Sequence, residues 1–271
     1  FTYYNPLLGG ATMAARLTNV GWGEGLDQAA AYLNDLPEAE KLNVASWYPH
    51  SFAPFFRGKV FGSEAEVPPL YQAGEALSSD YTVVYRNQIQ RRLPTIELIR
   101  YFLMHHAPVF TVTLQGLDYV YVYDIPLAYR TDWQTSRLPG KAIFFGVSDV
   151  ETESEIETEA DGSVLSLRLY WQNDGLAANE RWWVALQPIN GSIQPWQGCD
   201  LRPSFADERL MIGALLESEC RLANERLSPG TYYLYVGVGT RTNGIMIIPL
   251  PRGELAISVQ DDGRPRLVSH R

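Results

Sequence analysis

The hydrophobic period of the chain changes near residue 133, and that change limits what it can fold into more than any other feature. Upstream, Leu26, Ala29, Ala30, Leu33 and Leu36 fall at helical spacing within residues 23–36, which predicts a helix with one buried stripe. LNVASWY (42–48) and DYTVVYRNQ (80–88) are short apolar and aromatic runs that read as strands. Between them lies SFAPFFRG (51–58), with Ser51 placed to cap a short helix and Gly58 placed to end it. Pro94 suits a first helical turn before TIELIRYFLMHH, and VFTVTL, a turn at 115–118 and YVYVYDI predict a hairpin. Strands alternating with helices imply a sheet with parallel pairs and helices on its faces. The expected first domain, residues 1–130, is therefore a three-layer, Rossmann-like α/β domain.

Residues 131–139 form a polar connector, and beyond it the period is two. In VLSLRLYW, Leu165, Leu167, Leu169 and Trp171 share one face while Ser166, Arg168 and Tyr170 share the other. TYYLYVGV repeats this, with Tyr232, Leu234, Val236 and Val238 set against Tyr233 and Tyr235. RWWVALQPI, GIMIIPL and ELAISVQ add strands separated by Gly- and Pro-containing turns. Residues 140–271 are thus expected to form an antiparallel β-sandwich, immunoglobulin-like or jelly-roll.

Composition excludes several classes. A formal charge of -9 and a single small basic cluster, Arg91-Arg92, argue against a nucleic-acid partner. No apolar run approaches the roughly 18 residues of a membrane span, GIMIIPLP being far too short. With two cysteines, Cys-rich zinc modules are excluded; a Cys199–Cys220 disulfide and a pair of free buried thiols both fit the sequence.

Chemical motifs are sparse. Neither G-x-S-x-G nor G-x-x-x-x-G-K-[ST] occurs, and no cofactor is implied. GWGEG (21–25) has glycines of a phosphate cradle at a helix start, but Glu24 would repel a pyrophosphate, which favours a tight turn that docks Trp22. His50, His105, His106 and His270 show no metal-ligand spacing. The acidic run ETESEIETE (151–159) reads as a solvated sheet edge rather than a calcium site. Trp171, Trp182, Trp183, Trp196, Tyr233 and Tyr235 crowd the second half. Exposed Tyr233 and Tyr235 would stack on sugar faces, while Trp171 and Trp182 suit the core. Any pocket in the first half is expected around Trp22, Glu24 and Asp27, and around Arg86, Asn87 and Gln88 beyond a strand's carboxyl end.

TYYNPLLGG, VGWGEGLDQAAAYLN, ASWYP and SFAPFFRG together resemble, over residues 1–126, the segment that follows the last transmembrane helix in bacterial membrane glycosyltransferases of the dolichyl-phosphate-mannose protein mannosyltransferase family. In that family a Tyr-(Tyr/Phe)-Asn-Pro-Leu-x-Gly-Gly stretch leaves the membrane and a Trp-Gly-(Gln/Glu)-x-Leu motif opens the first soluble helix. Those positions are Tyr3 to Gly10 and Trp22 to Leu26 here; many relatives have Asp before the Trp, where this chain has Gly21. The second half resembles the β-sandwich appended to some such enzymes. The resemblance implies a piece of a longer, membrane-tethered, extracytoplasmic protein. Its parent would transfer sugar from a polyprenyl-phosphate donor, using acidic residues in loops among membrane helices. This chain would then be non-catalytic, partnered with the membrane-embedded part of the same polypeptide and with a glycan or polypeptide acceptor. Two other readings are a secreted carbohydrate-binding protein and a free-standing enzyme with its site between the halves.

Overall fold

The computed structural model describes residues 9–62, 72–127, 129–131, 135–150, 164–209, 211–223, 229–240, 242, 244–250, 255–259 and 265–269. The protein is mixed α/β with three sheets, and it divides into two compact units, Phe1–Pro126 and Leu127–Arg271. Tyr3 to Leu8, the acidic run 151–159 and His270 lie outside the described residues.

The first unit runs α1 (Gly10–Leu17), α2 (Leu26–Asn34), β1 (Asn43–Ser46), α3 (Pro49–Phe52), β2 (Lys59–Phe61), α4 (Gln72–Ser78), β3 (Tyr81–Tyr85), α5 (Arg86–Arg91), α6 (Ile96–His105), β4 (Phe110–Leu114) and β5 (Leu117–Asp124). Its sheet has the order β2-β1-β3-β5-β4. β1 pairs in parallel with β2 and β3, as helical crossovers require, whereas β3–β5 and β4–β5 are antiparallel. The β4–β5 turn is tighter than the sequence indicates: Gln115 and Gly116, both at positive φ, turn the chain in two residues.

The stripe read from sequence holds α2 in place. Leu26, Ala29, Ala30 and Leu33 are fully buried with Val112, Val120 and Val122 of the hairpin. Full burial of each leucine contributes about 1.5–3 kcal/mol. Neighbouring residues of a strand point to opposite faces, so Tyr123 meets α6 on the other side, where its ring lies 4.9 Å from Phe102.

Three local expectations change, and Gly9, at φ 93, is the N-cap of α1. Pro49 occupies the first position of α3, so Ser51 lies inside that helix and caps nothing. Gly58 does not end a helix but permits close approach; a Cβ there would lie 2.5 Å from the Leu42 carbonyl oxygen. Helix α6 starts after Thr95, whose hydroxyl accepts from Leu98 N–H at 3.2 Å, with Pro94 outside its first turn.

The second unit contains β6 (Tyr129–Arg130), β7 (Arg137–Leu138), β8 (Ala142–Val150), β9 (Val164–Asn173), β10 (Arg181–Pro188), β11 (Gln197–Gly198), β12 (Asp200–Leu201), β13 (Leu215–Ala223), β14 (Gly230–Thr240), β15 (Gly244–Ile247), β16 (Leu255–Val259) and β17 (Pro265–Ser269). They form two antiparallel six-stranded sheets, β11-β10-β14-β16-β17 with β15 beside β14, and β12-β13-β9-β8-β6 with β7 beside β8. The expected connector 131–139 belongs partly to this unit. Thr131 N–H donates to the Phe145 carbonyl and β7 pairs with β8, so the division falls before Leu127.

Trp171 and Trp182, one from each sheet, lie 5.5 Å apart between ring centres. The chain passes from the β11 sheet to the β12 sheet at Cys199, which forms a disulfide with Cys220 on β13. The bond settles the two cysteine alternatives. The outward face of β9 is less open than alternation suggests. Tyr170 is buried, and opposite it Glu217, with no exposed surface, pairs with Arg202 and Arg168.

Candidate functional site

The most constructed feature of the first unit is the turn Gly21-Trp22-Gly23-Glu24-Gly25. Gly21 has φ 99, a region that side-chain-bearing residues rarely occupy, and the Tyr85 ring lies directly against it. Tyr85 ends β3 and is buried, so its hydroxyl comes from a fixed platform. That oxygen accepts from Gly23 N–H at 2.9 Å and donates to the Glu24 carboxylate at 3.2 Å. The same Glu24 oxygen accepts from Trp22 N–H at 2.5 Å.

Electrostatics keep this clamp in one protonation state. Burial pushes the Tyr85 phenol well above its ordinary value; the Gly23 N–H acts the other way, and the Glu24 charge adds to the rise. Tyr85 therefore stays a donor to Glu24 at neutral pH.

Helix α5 holds the segment leading into the turn. Gln90 donates to the carbonyls of Ala15 and Thr18, at 2.7 and 3.1 Å, and accepts from Val20 N–H at 2.8 Å. Asn87 donates to the Val20 carbonyl and accepts from the Tyr48 hydroxyl at 2.7 Å. Gln88 accepts from Tyr85 N–H at 3.1 Å and caps α5. Expected at a loop mouth beyond β3, Asn87 and Gln88 are instead buried in the first turn of a helix that braces the Trp22 turn. Arg86, half-buried, hydrogen-bonds Tyr121; burial raises the Tyr121 phenol and that bond opposes the rise.

The result of this bracing is that Trp22 is 84% exposed. The turn exists as the sequence indicates, but it presents the indole rather than docking it. Nor is it an anion cradle, because the N–H groups of Trp22 and Gly23 are already bonded to Glu24 and Tyr85. Asp27 is exposed in the first turn of α2, where its charge favours the helix dipole. Met13 and Leu17, one turn apart on α1, are also exposed. At the carboxyl ends of β1 and β3 lies a cavity of about 30 Å³, lined in part by Ser46, Thr82 and Gln88, which is room for water rather than substrate.

Tyr233 and Tyr235 lie half-buried on the face of β14 opposite Tyr232, Leu234 and Val236, as alternation predicts. Tyr235 donates to the Gln187 side chain at 2.7 Å on the adjacent strand. Trp171 and Trp182 are buried. His50 lies in α3, His105 ends α6 and His106 caps it; no group of metal-binding side chains occurs among the described residues. Sequence reading missed Tyr85 and Gln90. The first looked like any strand aromatic, and the second lay just past the run read as a strand, where no element was predicted. The chain matches no protein-family model and no curated protein.

Proposed function

We propose that the chain is a non-catalytic extracytoplasmic accessory region of a polyprenyl-phosphate-sugar-dependent membrane glycosyltransferase, seated at the bilayer surface with Trp22 in the lipid–water interface. The exposed Trp22 on its hydrogen-bonded turn carries this reading. An indole combines a large apolar body with one N–H donor, and it collects where hydrocarbon meets headgroups. A turn that needs glycines, a buried Tyr85 clamp and three side chains of α5 to hold an indole in water is costly unless something receives the ring. Met13 and Leu17 on α1 are further exposed apolar side chains of the same unit. The resemblance of Tyr3 to Gly10 and Trp22 to Leu26 to a membrane-exit segment supports the same orientation. On this reading the first unit is a Rossmann-like three-layer domain and the second a β-sandwich. Their partners are the membrane-embedded part of the same polypeptide and a glycan or polypeptide acceptor, the membrane-proximal unit covering the active face or orienting that acceptor.

The test uses phosphatidylcholine vesicles, since a protein of charge -9 would be repelled by anionic lipid. The 271-residue chain should co-sediment with the vesicles. Trp22→Ala should weaken partitioning at least about tenfold, because the apolar area of one indole is lost from the interface. Its folded stability should stay within about 0.5 kcal/mol of the parent, as for an exposed side chain. Equal partitioning of the two proteins, with an upstream coding sequence lacking apolar segments of about 20 residues, would refute the proposal.

A further inference from the structure

The outward face of the β10–β14 pair carries aromatic rings laid along the sheet. Trp182 meets Trp171 of the opposite sheet, so Trp182, Val184 and Leu186 face the core, while Ala185 and Gln187 share the other face with Tyr235 and Gly237 of β14. Trp196 lies just before β11, which flanks β10 on the side away from β14. Its ring nevertheless reaches β14, because a Cβ on Gly237 would lie 3.4 Å from it. Neighbouring strands are about 4.8 Å apart, so the indole crosses β10 instead of standing off the sheet. Gly237, with no side chain, and Ala185, with one methyl group, leave room for it. Ala185 is 0% exposed on this outward face, as a ring laid over it requires.

Tyr235 is held in a similar way. Its hydroxyl donates at 2.7 Å to Gln187, which lies two residues along β10 from Ala185, the residue opposite Tyr235. The phenol therefore leans across the strand pair. Trp196 and Tyr235 are both half-buried, so each keeps part of its surface open to solvent. At the start of β10, the Arg181 guanidinium lies 4.6 Å over the Trp183 ring. Arg181 is 49% exposed and meets Asp200, 92% exposed, only loosely, at 3.9 Å. So weak a pair leaves both groups able to bond a ligand.

We propose that this face binds a linear glycan, with pyranose rings stacked on Trp196 and Tyr235 and sugar hydroxyls bonded to Arg181 and Asp200. Pyranoses with equatorial hydroxyls present C–H bonds on their ring faces, which suit the negative face of an aromatic ring. A sugar hydroxyl donates to a carboxylate and accepts from a guanidinium, so one neutral ligand answers both charges. A polypeptide would be anchored by side chains entering pockets, whereas rings laid along a sheet present faces. The inference stands on the second unit and goes beyond the membrane reading of the first.

The test titrates the 271-residue protein with cellohexaose, chitohexaose and mannohexaose, followed by calorimetry and saturation-transfer NMR, with reduced, carboxymethylated casein as a polypeptide probe. At least one hexasaccharide should bind saturably at millimolar concentration or below. Trp196→Ala and Tyr235→Ala should each weaken that glycan about tenfold, through loss of one stacked ring. Asp200→Asn, at an exposed position where folding is undisturbed, should weaken it about threefold. Near-UV circular dichroism checks that the variants keep the native core. Saturation of the parent's aromatic protons should also reach the sugar ring protons, a readout that needs no variant. Absence of binding by all three hexasaccharides, affinity unchanged in folded Trp196→Ala, Tyr235→Ala or Asp200→Asn, no transfer to the ring protons, or binding of the casein in place of the glycans would each overturn the proposal.

Discussion

Opening the Cys199–Cys220 bond should cost the second unit about 3 kcal/mol. The two residues are 21 positions apart in sequence. Closing a loop of that length removes roughly 11 cal/mol/K from the unfolded chain, or about 3.4 kcal/mol at 25 °C. The folded state should change little, because both cysteines are buried and the thiols that replace the bond remain small apolar groups in the same place. The entropic part therefore dominates. Urea unfolding of oxidised and fully reduced protein measures it directly. Intrinsic fluorescence is a suitable signal, since Trp171, Trp182 and Trp183 are buried in this unit. Reduction should lower the midpoint, and it should lower the melting temperature by roughly 10 °C in a unit of this size. The Cys199→Ala/Cys220→Ala variant should lose a similar amount plus a small cavity cost. A midpoint unchanged by reduction would refute the argument that the bond acts by restricting the unfolded chain where it crosses between sheets.

Three further outcomes follow from particular contacts. Glu217→Ala should destabilise the second unit by about 1–3 kcal/mol in urea unfolding, because the buried hydrogen bonds of Glu217 are lost while Arg168 and Arg202, both partly exposed, keep Glu219 as a counter-charge. Burial lifts the phenols of Tyr85 and Tyr123 above 10.0, so the folded chain keeps protons that the unfolded chain releases. Stability of the first unit is thus intact below about pH 10 and declines above it; Tyr85→Phe should flatten that decline and cost about 1–2 kcal/mol at neutral pH. Gly21→Ala should cost at least about 1–2 kcal/mol by calorimetry, since a Cβ at φ 99 would lie 2.7 Å from the Tyr85 hydroxyl.

The candidate site was legible only in part. GWGEG stands out in the sequence as a turn leading into a helix, because glycine spacing and the α2 stripe are local signals. Whether Trp22 is docked or presented is not local. It depends on Tyr85, 63 positions away, filling the space beside Gly21, and on Gln90 holding the carbonyls of Ala15 and Thr18. Residues 86–88 read from sequence as the tail of a strand, yet the strand ends at Tyr85 and they open a helix; their polar side chains carry no stripe, and that helix is stabilised by capping and by bonds to distant backbone.

From the sequence alone came the change of period, the buried stripe of α2 and the inward and outward sets of β14. Each of these is written in neighbouring residues, because helix and strand geometry repeat over two to four positions. Tertiary structure decided the disulfide, the burial of Glu217, the place where one unit gives way to the next and the exposure of Trp22. These are consequences of which distant segments meet. A side chain's solvent and partners depend on that meeting, and no pattern among its neighbours in the chain records it.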